Sequence, residues 1–168
     1  MTVILTVQAS PIFILQLSDR LVSVSQGSGG PAKPFDALSN KTAVYRANDA
    51  IVSIGYTGVA YLGDLPTDEW IAQVLWGEPL PEPGPWGGIP MRIRGKPIVR
   101  DIGTAIHKLK SELESLPLKE RGPIAITIAG WKLARPKVDV PIVVQLQRSA
   151  GQQTINQRRG PTWFQGDF

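Results

Sequence analysis

The chain has 168 residues, 42% of them apolar, with a net charge of +4, no cysteine and one histidine. That length suits one domain with a sizeable core, 1–168, and the composition fits a soluble globular protein. Disulfides, thiolate metal sites and cysteine nucleophiles are excluded, and the lone imidazole of His107 argues against a His-based metal site or a Ser-His-Asp triad.

The chain opens on two apolar runs, Val3–Val7 and Ile12–Leu17, parted by Ser10-Pro11, which reads as a β-hairpin. Both runs are too continuous for a strand with one wet face, so strands buried on both sides are expected. No Lys or Arg precedes Arg20, and Gln8, Ser10, Pro11 and Gln16 interrupt the apolar start, so no secretory signal is read there. No stretch reaches the roughly 18 apolar residues of a membrane span. A cytoplasmic protein without a membrane partner is expected.

A Gly/Ser-rich segment over residues 26–32 reads as a loop. Thr42–Arg46 and Ile51–Tyr56 flank an Asn48-Asp49 turn and form a second hairpin. A helix follows, with Thr67 as its N-cap, Asp68 and Glu69 in its first turn, and Gly77 at its end. Residues 78–100 are rich in Pro and Gly and read as a long irregular loop. From Asp101, Ile102, Ile106, Leu109, Leu113 and Leu116 recur at helical spacing until Pro117, and His107 falls off that stripe. Ile124–Ala129 and Ile142–Gln147 are two further strands, followed by a polar turn at Ala150-Gly151 and a weak tail. Strand runs interrupted by a block of helices fit an α+β layered fold better than βαβ units.

Charge is uneven along the chain. Residues 1–89 carry four basic and eight acidic side chains, and residues 90–168 carry fourteen and six. The basic half lacks the aromatic interleaving that stacks bases, so a solvated face is expected and nucleic acid is not expected as a partner. No phosphate loop, metal-ligand spacing or dinucleotide fingerprint occurs, and neither a metal nor a cofactor is expected.

The polar residues that remain stand at the ends of apolar strands: Thr2, Asp19, Lys41 and the Thr57-Gly58 pair. The order TVILTV…IFILQLSDRLVS…NKTAVYRANDAIVSIGYTG…PTDEWIAQVL…PIAITIAGW resembles the N-terminal-nucleophile hydrolases of the proteasome beta-subunit type. The resemblance covers most of the chain through short motifs, and it implies an αββα sandwich of two antiparallel sheets between helix layers. It also implies a threonine-type amide hydrolase or peptidase in which Thr2 acts after removal of Met1. Thr2 would then supply Oγ as nucleophile and its α-amine as base, chemistry that needs no histidine. Lys41 would place a positive charge beside Oγ, and Asp19 would hold Lys41 charged and oriented. The Gly58 N–H would face the developing oxyanion, a contribution of order 3 kcal/mol, and Tyr56 would line the substrate pocket.

The family's fold continues with further strands and helices where this chain ends, so the resemblance implies a sandwich shortened at its C-terminus. An uncovered sheet edge and apolar face would follow; either another chain covers them, as in a homo-oligomer, or the architecture is a reduced variant. The alternative reading is a catalytically inactive proteasome-like binding or assembly protein. Residue by residue, ordinary explanations stand beside the catalytic ones. Thr2 can simply begin a strand, Asp19-Arg20 can be a surface pair, Lys41 a solvated charge, and Gly58 a turn residue with positive φ.

Overall fold

The computed structural model describes residues 4–9, 13–18, 22–24, 33–36, 41–76, 101–117, 122–133, 140–150, 152 and 154–159. In chain order the early strands are β1 (Ile4–Ala9), β2 (Phe13–Ser18), β3 (Val22–Val24), β4 (Lys33–Asp36), β5 (Thr42–Arg46) and β6 (Ala50–Gly58). The short strands β7 (Tyr61–Leu62) and β8 (Leu65–Pro66) lead into helices α1 (Thr67–Trp76) and α2 (Ile102–Ser115). Three strands close the described chain: β9 (Ile124–Lys132), β10 (Val140–Arg148) and β11 (Asn156–Arg159). The loops expected at 26–32 and 78–100 lie outside the described residues.

Strands β5, β6, β9, β10 and β11 form one antiparallel sheet in the order β11-β10-β9-β6-β5. Side chains alternate across such a sheet, so its register sorts them into two faces. One face carries Tyr45, Val52, Ile54, Ile126, Ile128 and Leu146, all buried in a cluster with Ile102, Ile106, Leu109 and Leu113 of α2 and Leu75 of α1. Ile126, Ile128 and Leu146 are fully buried, each contributing about 1.5–3 kcal/mol. The chain is thus α+β, with its helices packed on one face of the sheet.

Helix α2 begins as its sequence suggests. The Asp101 carboxylate accepts from the Thr104 N–H at 2.8 Å, a standard N-cap bond. Asp49, in the β5–β6 turn, accepts from Ile102 N–H at 2.8 Å and ties the helix start to the sheet. The helix stops at Ser115 because Pro117 drives Leu116 out of the helical region, to φ −55 and ψ 143. His107 is exposed, as its position off the stripe implies. Thr67 differs from expectation. It is the first residue of α1 and is fully buried, and its hydroxyl donates to Val59 O at 2.8 Å instead of capping the helix.

The opening hairpin forms as expected, with Ile4 opposite Ser18 and Thr6 opposite Gln16. It lies over the face of the sheet turned away from the helices. Gln16 reaches Ser53 and Thr127 there, and Ile4 Cδ1 sits 2.9 Å from where a Cβ on Gly55 would be. Burial on both sides is not what the structure gives. Leu5, Phe13, Leu15 and Leu17 point outward and are 41–52% exposed. The reason is that an apolar run does not record how many layers cover it: only the alternate residues, such as Ile4 and Gln16, meet the sheet.

Strand β11 lies where a weak tail was expected. Its sequence, Asn-Gln-Arg-Arg, carries no apolar signal, and only pairing with β10 makes it a strand.

Candidate active site

Lys41 precedes β5 and is 2% exposed, which rules out a solvated charge at the strand start. Its carbonyl accepts from Tyr56 N–H at 3.1 Å, extending the β5–β6 ladder by one pair. N–H groups alternate sides along a strand, so Gly58 N–H, two residues further, turns to the same edge as that of Tyr56. Val59 N–H turns the other way and donates to Pro123 O at 3.1 Å.

Gly58 has φ +103, and a Cβ there would lie 2.2 Å from Pro123 O. Both facts require glycine: the conformation is one that side chains disfavour, and the neighbouring backbone leaves no room. The turn role foreseen for this residue is therefore real, whatever else its N–H does.

Tyr56 is 3% exposed and belongs to the core cluster on the helix side. The open cleft beside Gly58, about 290 Å³, is lined by its neighbour Thr57 together with Ala125, Gln147, Ser149 and Ala150. Thr57 alternates with Tyr56 and so faces the opposite side of the sheet. The pairing of β9 with β6 and β10 creates this cleft, which no local motif announces.

Thr2 and Asp19 lie outside the described residues. The residues beside them in the chain do not. Ile4 Cδ1 and Thr42 Cγ2 both close on the Cβ position of Gly55, at 2.9 and 3.2 Å; Gly55 and Thr42 are the immediate neighbours of Tyr56 and Lys41, and Ser18 pairs with Ile4. The structure thus brings Lys41, Tyr56 and Gly58 to one end of the sheet, and the open end of the β1–β2 hairpin to the same place.

Two polar residues matter here that sequence reasoning passed over. Gln16 links the hairpin to the sheet, and its signal was an amide side chain on the inward-facing set of an apolar strand. Arg148 is 1% exposed and donates to Leu113 O at 2.9 Å and to Gly122 O at 3.2 Å, holding the end of α2 against the start of β9. An arginine at a strand end reads as a surface charge, and nothing local marks it otherwise.

Among the described residues no group of His, Asp or Glu side chains is placed to hold a metal ion, and no helix is long and apolar enough to cross a membrane. Comparison with protein-family models, with curated proteins and with solved structures gave no match to this chain.

Proposed function

We propose that the chain is a threonine-type amide hydrolase of the N-terminal-nucleophile kind, with an αββα sandwich related to that of proteasome beta subunits. The observation that carries this reading is the packing of Ile4 on Gly55, whose Cβ position also lies 3.2 Å from Thr42 Cγ2. Thr2 is two residues from Ile4, at most about 7 Å of extended chain. Asp19 directly follows Ser18, the partner of Ile4. The hairpin end at Ile4 and Ser18, to which Thr2 and Asp19 are joined in sequence, then stands at the same end of the two stacked layers as Lys41 and Gly58.

In this mechanism Met1 is removed and Thr2 Oγ attacks the carbonyl carbon of a peptide or amide. The hydroxyl proton passes to the Thr2 α-amine and on to the departing amine as the C–N bond breaks. Water then cleaves the resulting ester and restores the hydroxyl. Lys41 stabilises the negative charge building on Oγ, Asp19 keeps Lys41 charged, and Gly58 N–H donates to the oxyanion. The cleft beside Thr57 receives an adjoining part of the substrate.

The test is intact-mass measurement of native protein, followed by acylation with a β-lactone. Loss of Met1 and a single adduct on Thr2, absent in Thr2→Ala and slowed ~100-fold in Lys41→Ala, are the expected results. Retention of Met1 in the native protein would sink the α-amine mechanism.

A second reading, a catalytically inactive binding or assembly protein, is favoured by the exposed row Leu5, Phe13, Leu15 and Leu17. It expects a defined oligomer by light scattering that survives Thr2→Ala and Lys41→Ala and is lost in the Phe13→Ser, Leu17→Ser double variant. A clean monomer counts against it.

A further inference from the structure

Gln16 stands between the two layers, and its amide bonds to three strands. Nε2 donates to Thr6 Oγ1 at 3.3 Å, across the hairpin, and to Thr127 O at 3.4 Å, on β9. Oε1 accepts from the Ser53 hydroxyl, on β6. Both amide hydrogens and the carbonyl are thereby used, and each partner belongs to a different strand. The rest of the interface is sparse. Ile4, Ile14 and Ser18 are only half-buried, and the outer row of the hairpin is exposed. A two-stranded hairpin is marginal by itself, so its place on the sheet depends on what it meets there.

A purely apolar contact would tolerate sliding, because it has no preferred partner at the scale of one residue. Directional bonds to Ser53 Oγ and Thr127 O do not tolerate it. A slip of one residue along the strand moves the hairpin about 3.4 Å and takes the Gln16 amide out of hydrogen-bond reach of both. Gly55 adds to the same register. Its missing Cβ lets Ile4 and Gln16 close onto β6, with Gln16 Cδ 3.3 Å from the Cβ position.

We infer that Gln16 is the positioning residue of the candidate site: it fixes the register of the β1–β2 hairpin on the sheet, and with it the place of the hairpin's open end, Ile4 and Ser18, relative to Lys41 and Gly58. The inference rests on the hydrolase reading for its catalytic consequence, but the register itself does not. Thr6 and Gln16 are one pleat from Ile4 and Ser18, the residues that lead to Thr2 and Asp19. Catalysis by positioned groups can lose ~100-fold for a displacement of about 1 Å, so register at Gln16 is a matter of rate.

The experiment uses the full chain with Met1 removed, in wild type, Gln16→Leu, and the Gln16→Leu, Ser53→Ala double variant. Gln16→Leu keeps the side-chain size and leaves the Ser53 hydroxyl stranded; Ser53→Ala then removes that cost and returns stability. Two quantities are read: hydrogen exchange of residues 4–18 against that of β9 and β10, and the maximal rate of Thr2 acylation by a β-lactone.

In both variants exchange in residues 4–18 is expected to quicken at least tenfold while β9 and β10 stay protected. Maximal acylation is expected to fall at least tenfold, with the half-saturating β-lactone concentration little changed, and to stay low in the double variant although its thermal midpoint recovers. Unchanged hairpin exchange in the variants overturns the proposal, and so does acylation that returns together with stability. A wild type that is not acylated at all sinks the hydrolase reading instead, and hairpin exchange then decides the register by itself.

Discussion

Gly58 and Pro123 approach so closely that a Cβ on Gly58 would lie 2.2 Å from the Pro123 carbonyl oxygen. That contact fixes the last residue of β6 against the residue that precedes β9, at the edge of the candidate site.

Gly58→Ala is therefore expected to destabilise the protein by roughly 2–4 kcal/mol, the sum of a disfavoured positive φ and an overpacked contact. Chemical denaturation reads this directly. A loss under 0.5 kcal/mol would mean that the backbone around Gly58 and Pro123 relaxes without cost.

Arg148→Met is expected to cost about 2–4 kcal/mol, because the carbonyls of Leu113 and Gly122 lose a charged donor in a buried site. Arg148→Lys should recover little of it. An ammonium cannot reach two carbonyls with the planar fork of a guanidinium. Thermal unfolding of the two variants side by side makes the comparison.

Asp101 has its carboxyl held below the usual carboxylate range, first by the Thr104 hydroxyl and then by the Thr104 N–H. A depressed folded-state value stabilises the fold above the ordinary carboxylate pKa, and that contribution is lost as pH falls through the folded value. Asp101→Asn keeps a capping oxygen but not the charge. Its stability deficit at neutral pH should shrink and vanish on acidification, measured as the difference in thermal midpoint from wild type.

Tyr45 is pushed up to about 12, by burial first and then by the negative charges of Asp101 and Asp49. Its ring also stands edge-on to Trp76, with centroids 5.2 Å apart. A raised folded-state value means that the stability it contributes is full below pH 10 and is lost as pH rises toward 12. Alkaline titration of phenolate absorbance should show a late-ionising step that is lost in Tyr45→Phe. The variant should also lose less stability than wild type between pH 10 and pH 12.

The sequence by itself determined the local elements: both early hairpins, the α2 stripe from Ile102 to Leu113 with its Pro117 stop, and the strands at 124–129 and 142–147. These follow from periodicity and turn chemistry, which act over a few residues. It also singled out Lys41 and Gly58, through their places at strand ends. What it could not contain is which surface covers which. Pairing of β6 with β9 joins segments some 65 residues apart, and together with the pairing of β9 and β10 it creates the cleft beside Thr57. It also turns the polar segment Asn156–Arg159 into a strand through β10. Burial of Arg148 and Tyr56, exposure of Leu5 and Leu17, and the bridging amide of Gln16 are likewise decided only when the layers stack. An apolar pattern specifies the face that leaves water, and tertiary structure specifies the partner that it meets.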